Sequence, residues 1–149
     1  MGAGLYSGEP TGDPAGIPSD PTCWSDESKR SVAYLFPPRP YLDKEYLCRR
    51  CKTPHVFTAV DQKHAFEVRK VNISQQRLLC RVCHAEWCSL DREVREYRIR
   101  WEADQLVLRR DPEFLRNWLA VLEKLAGYDS RTDHANIIML RKLVALQAE

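Results

Sequence analysis

The sequence predicts an α+β chain: a small cysteine-clipped metal module at residues 41–84, an extended N-terminal arm at 1–40, and a helical tail of three segments at 85–149. Three observations predict it. Two Cys-x-x-Cys pairs, Cys48/Cys51 and Cys80/Cys83, are separated by 28 residues. The first forty residues are rich in Gly and Pro, and apolar residues after the second pair recur at the period of a helix.

The cysteine pairs carry the most chemistry. Each supplies two sulfurs from one tight turn, and the loop between them can bring the turns together, which is the arrangement a tetrahedral ion requires. Cys48, Cys51, Cys80 and Cys83 are therefore the expected ligands of one structural Zn²⁺. Iron held as in rubredoxin is the alternative, but nothing else in the chain points to electron transfer. A thioredoxin-like redox role would use one pair in a strand-helix context. Cys23 lies far from the others and reads as a free thiol. Cys88, five residues after Cys83, is a spare ligand or, as the better expectation, a small buried hydrophobe.

Whole-chain properties bound the partners. No run of eighteen apolar residues exists, and the N-terminus lacks a basic start followed by an apolar stretch, so neither a membrane span nor a secretory leader is expected. A reducing cytoplasm is the expected location, since thiols kept reduced are free to bind metal. The net charge of +2 is unevenly spread: residues 41–83 carry nine basic and four acidic side chains, whereas 84–149 carry eleven and twelve. A mild basic patch on the module is compatible with nucleic acid and equally with a solvated surface.

Along the chain, residues 1–22 are too poor in apolar side chains to offset ordering entropy and are expected to be disordered or loosely pinned. From Cys23 to Tyr46, aromatics alternate with Pro37, Pro38 and Pro40, which predicts an extended strap over the folded part. A Pro-rich ligand for a partner domain is the other reading of that stretch. His55–Thr58 alternates like a short strand. Thr58 followed by Asp61 predicts a capped helix over 59–70 with Phe66 in the core, and Leu78 and Leu79 are expected in a short strand beside the second clip.

The tail begins with Trp87, Leu90, Val94, Tyr97, Trp101 and Leu108 on one helix face, interrupted only at Asp104. That spacing predicts a helix from about Cys83 to before Pro112. Asp91 and Glu96 precede Arg95 and Arg100 by four residues, so the arginines read as an internally paired, solvated face. Asp111-Pro112 opens a second helix, stopped at Gly127, with Phe114, Leu115, Trp118 and Leu122 on its apolar face. Thr132-Asp133 opens the last, through Ile137, Ile138, Leu140 and Leu143. The short link Tyr128–Arg131 must fold it back. Being apolar on most sides, it either packs between neighbours or forms a homo-oligomer interface.

A cysteine pair at a helix start, after a first pair on a hairpin turn, is a treble-clef layout. The stretch from Tyr41-Leu-Asp-Lys-Glu-Tyr-Leu-Cys-Arg-Arg-Cys51, through Val56-Phe57-Thr58-Ala59, Asp61-Gln62 and Phe66, to Arg77-Leu-Leu-Cys-Arg-Val-Cys83 resembles the probable zinc-ribbon (treble-clef) domain of small bacterial proteins of unassigned function. The resemblance implies zinc binding without catalysis. It departs at Lys52, where such domains usually carry Gly, which predicts a strained or altered knuckle turn. The enzymatic alternative is an HNH-type nuclease, also built on a treble clef. Its Asp-His pair should be adjacent, but Asp61 and His64 are three apart, and Gln75 stands where its Asn is expected. The expected function is thus a non-catalytic scaffold or interaction protein whose partner is another protein or a nucleic acid.

Overall fold

The computed structural model describes residues 15–128 and 132–149, which divide into two compact units, one ending at Cys83 and the other beginning at His84. The start of the arm, residues 1–14, and most of the expected 128–131 link lie outside the described residues.

The first unit is built on an antiparallel hairpin of β1, Lys44–Leu47, and β2, Pro54–Phe57, in the register Lys44 to Phe57 and Leu47 to Pro54. Thr58 ends β2 and caps α2, Ala59–Lys63, its hydroxyl accepting from Asp61 N–H at 3.1 Å. The helix then widens into a π-helical turn, His64–Val68, closed by Arg69 N–H to His64 C=O at 3.0 Å. It therefore stops short of the expected Lys70, which lies at φ 59°. The core joins Trp24, Tyr41, Phe57, Ala59, Ala65 and Phe66, with the Phe57 and Phe66 rings edge to face at 6.0 Å.

Two expectations for the segments before β1 are corrected. Residues 15–22 are tied down: Ile17 and Tyr41 exchange two backbone hydrogen bonds, of 2.9 and 2.7 Å, and Asp20 N–H donates to Glu67 Oε1 at 2.7 Å. Gly16 makes this approach possible. It adopts φ +74°, and a Cβ there would meet Tyr41 O at 2.2 Å. The strap is not simply extended either. It forms 3₁₀ turns at Pro21–Cys23 and Val32–Leu35 around a short helix α1, Asp26–Lys29; Asp20 caps the first turn and Ser25 caps α1, ahead of Pro37, Pro38 and Pro40. Trp24 and Tyr41 do cover the core, joined by an indole N–H to phenol oxygen bond of 2.8 Å, whereas Tyr34, Leu35, Phe36 and Leu42 face solvent.

Leu78 and Leu79 form no strand; their carbonyls accept from Arg49 N–H and the Tyr46 hydroxyl instead. Helix α3, Arg81–Ala103, opens at the second clip. It ends earlier than the expected Pro112, because Asp104, at φ −150° and ψ 59°, breaks it from α4, Gln105–Leu108.

In the second unit, α5, Pro112–Ala126, starts at the Asp111 cap, and α6, His134–Gln147, at the Asp133 cap. Leu90 and Val94 of α3, Phe114, Leu115, Trp118 and Leu122 of α5, and Ile137, Leu140 and Leu143 of α6 are buried. Tyr97 and Trp101 ring contacts with Phe114 and Trp118 extend that core, at centroid separations of 5.3–6.5 Å. Asp91 pairs with Arg95 as expected, while the Arg100 guanidinium lies over the Phe114 ring at 4.8 Å. Ion pairs Arg98–Asp133 at 2.7 Å and Arg141–Glu123 at 2.9 Å tie α6 to α3 and α5. Ile138 and Leu146 remain exposed on α6.

Candidate metal centre

The first clip is the turn of the hairpin. Leaving β1, the chain bends so that Lys52 N–H donates to Cys48 C=O at 2.9 Å and Cys48 N–H donates to Thr53 C=O at 3.1 Å, returning it into β2. Lys52 adopts φ 59°, the left-handed conformation that Gly would supply without a Cβ clash, so the turn keeps its shape at a backbone cost of about 1–2 kcal/mol. The second clip ends a loop and starts α3: Cys80 directly precedes the helix and Cys83 is in its first turn. The positive end of the helix dipole thus faces the sulfurs, where it favours thiolate.

Two further bonds lock the clips together. Arg49 N–H donates to Leu78 C=O at 2.7 Å, and Cys80 N–H donates to Cys48 Sγ at 3.3 Å. The four Sγ atoms of Cys48, Cys51, Cys80 and Cys83 consequently lie within 4.8 Å of one another, with Cys51 and Cys80 at 3.9 Å. A metal–sulfur bond of ~2.3 Å in a tetrahedron places its sulfurs roughly 3.8 Å apart, so this donor set fits a four-thiolate ion. Cys48, Cys80 and Cys83 are buried, and Cys51 is at the surface.

The electrostatics divide the four. Thr53, through its hydroxyl and its backbone N–H, draws the Cys51 thiol down to about 6. Burial works against ionisation of Cys48, but N–H groups of Cys51, Cys80 and Arg50 outweigh it and lower its pKa. Burial, reinforced by the sulfurs of Cys80 and Cys48, pushes Cys83 up to about 12. Without a cation the cluster therefore retains a proton, as expected where four like charges would otherwise meet.

The supporting residues belong to the stretch that carries the treble-clef resemblance, where the sequence assigned them no contacts. Asp43 Oδ1 accepts from Ala59 N–H at 2.7 Å, beside the Thr58 cap. Gln62, buried to 1% exposure, donates its amide to the carbonyls of Phe57, at 2.9 Å, and Leu42. Tyr46 donates to Leu79 C=O at 3.4 Å, and burial pushes its phenol up to about 12. A polar residue on the Phe66 face of a short helix was the available signal for Gln62.

The other candidates sit elsewhere. Cys23 Sγ lies 3.3 Å from Asp20 Oδ2, and Cys88 Sγ lies 3.7 Å from His84 Nδ1; among the described residues, the four-cysteine group includes neither. Asp61 is 6% exposed, with Oδ2 buried and unbonded, and His64 follows one turn later with Nδ1 equally enclosed.

No helix among the described residues is long and apolar enough to cross a membrane. No curated protein and no solved structure matches the chain. The family described as a probable treble clef domain does match, over residues 42–87. With its first cysteine pair on the turn of a two-stranded hairpin and its second at the start of a helix, this part of the chain is a treble clef domain.

Proposed function

We propose that the protein is a non-catalytic interaction module built on one structural Zn²⁺, held by Cys48, Cys51, Cys80 and Cys83, with a protein or nucleic acid as its partner in a reducing compartment. The convergence of the four sulfurs to within 4.8 Å carries this reading. Zinc suits an all-thiolate tetrahedron that needs no redox change, and a closed set of four protein ligands leaves no position for water or substrate. Asp61, the best-placed carboxylate for metal-assisted hydrolysis, is buried, which supports a non-catalytic role. A second copy would pack against the exposed Ile138 and Leu146.

Metal analysis of purified protein tests the reading. We expect one zinc per chain, lost in Cys51→Ser and kept in Cys23→Ser and Cys88→Ser. Full zinc content in Cys51→Ser would disprove the ligand set. Plasmid nicking with Mg²⁺ or Mn²⁺ that vanishes in His64→Ala would replace the reading with a nuclease.

A further inference from the structure

The aromatic seam of α3 that packs on Phe114 and Trp118 ends at Trp101, and the break at Asp104 leaves the next apolar pair uncovered. On α4, Leu106 is 83% exposed and Val107 62%. The two side chains line a groove of about 1110 Å³ together with Pro112 at the start of α5 and Leu143 and Leu146 near the end of α6. Leu143 is buried there, whereas Leu146 is 66% exposed. Gln147 Nε2 donates to Arg109 C=O at 3.3 Å, which ties the end of α6 to the turn after α4 and holds the groove in shape. Contiguous apolar surface of this kind marks a contact.

The charges around α4 say what the contact is with. Glu102 and Asp104 precede the helix, Arg109 and Arg110 follow it, and all four are exposed. Among the described residues none of the four has an ion-pair partner, and Asp104, although it stands at the cap of α4, makes no side-chain cap bond. Asp104 and Arg109 are equidistant from the midpoint between Leu106 and Val107, about 7–8 Å apart at the rise of a helix. A two-fold rotation about that midpoint lays one α4 antiparallel on another, with Asp104 of each copy opposite the partner's Arg109. A different protein would have to bring a matching order of acid, apolar and basic groups. A second copy has it already.

Resting on the interaction-module reading above but not on its zinc, we propose that two copies of this chain pair through α4, with Leu106 and Val107 of each seated in the groove of the other and Asp104 opposite Arg109 across the two-fold axis. The self-contact thus lies at the Leu146 end of α6 and does not use Ile138. Its apolar centre supplies the burial, and the flanking charges fix the antiparallel register.

Sedimentation equilibrium of the full chain, with measured zinc content, tests this. The expected result is a dimer that forms as concentration rises and whose dissociation constant increases at least about tenfold in Leu106→Asp. Leu106 is exposed, so this change should leave the fold intact, which circular dichroism checks. The charges give a second test that damage to the fold would not mimic. Asp104→Arg and Arg109→Asp should each weaken the dimer, because like charges then face each other across the axis. An equimolar mixture of the two variants should dimerise again, one copy of each, since both cross pairs are then attractive. The proposal is overturned if the wild-type chain stays monomeric at about 100 μM, which would leave the groove to a different protein. It is equally overturned if either single charge change leaves the dimer intact, if the mixture stays monomeric, or if Ile138→Asp abolishes the dimer and Leu106→Asp does not. A dimer without zinc would count against the metal reading alone, and a zinc-loaded monomer against this proposal alone.

Discussion

The side-chain amide of Gln62 donates to the backbone carbonyl of Phe57 at 2.9 Å, joining α2 to the strand that leaves the first clip. The same nitrogen reaches Leu42 C=O before β1, so one buried amide spans both strands of the hairpin at the end away from the cysteines. Gln62→Leu keeps the volume and removes both donors. Each carbonyl left unpaired costs about 1–3 kcal/mol, so the variant should melt well below the wild type at equal zinc loading. An unchanged melting curve would show that these bonds contribute nothing.

Lys52→Gly should act in the other direction. A left-handed backbone costs a residue with a Cβ about 1–2 kcal/mol, partly offset by the greater freedom of unfolded Gly, so a net gain of about 0.5–1 kcal/mol is expected. Denaturant unfolding of zinc-loaded protein measures it, and Lys52→Ala, which keeps a Cβ, should show no such gain.

Zinc binding should release protons and weaken as pH falls. Cys83, pushed up to about 12, holds its proton at neutral pH and must give it up on coordination. Cys51, drawn down to about 6, is already thiolate there and contributes another displaced proton only as pH drops toward and below that value. In the metal-free form the signs are opposite. The lowered Cys51 pKa favours the folded state above its unfolded value near 9, an effect lost as pH falls through about 6. The raised Cys83 pKa favours it below 9, an effect lost as pH rises through about 12. Calorimetric zinc titration in buffers of different ionisation enthalpy should therefore show net proton release at pH 7.5 and steeper loss of affinity below pH 6. An affinity independent of pH between 5 and 8 would contradict it.

Trp118 is the largest fully buried side chain among the described residues of the second unit, at 1% exposure, between the rings of Tyr97, Trp101 and Phe114. Trp118→Ala should cost about 3–5 kcal/mol, the range for emptying a buried aromatic site. Trp101→Ala should cost less, since Trp101 is only half-buried. Thermal melts of the two variants, each at full zinc occupancy, give the order; equal losses would mean that Trp101 contributes as fully to this core.

What was legible in the sequence follows from how local each signal is. The clips, the Thr58, Asp111 and Asp133 caps and the Phe66 and Trp118 faces depend on residues a few positions apart, and all appear where periodicity and capping chemistry place them. The left-handed Lys52 turn was readable from the displaced Gly alone. The failures were non-local or were decided by competition. Pinning of residues 15–22 depends on Tyr41 and Glu67, far along the chain. The strap became helical where Asp20 caps the first turn and Ser25 caps α1, ahead of Pro37, Pro38 and Pro40. Leu78 and Leu79 had strand-forming side chains, but their carbonyls found donors at Arg49 and Tyr46. Asp104 interrupted the apolar pattern in the sequence, and the helix breaks at that residue.

The Ile17–Tyr41 bridge also bears on where the smallest autonomous piece of this chain can begin. The family match opens at residue 42, yet the core beneath the hairpin includes Trp24, and Gly16 lets the backbone at Ile17 pair with Tyr41. A peptide cut to the matched boundaries would retain the four clip sulfurs of Cys48, Cys51, Cys80 and Cys83 and leave Phe57 and Phe66 without part of their cover. Metal affinity and solubility thus part company in such a fragment. Recovering both requires starting near Ala15, so the inherited motif and the cooperative unit of folding are different lengths of the same chain.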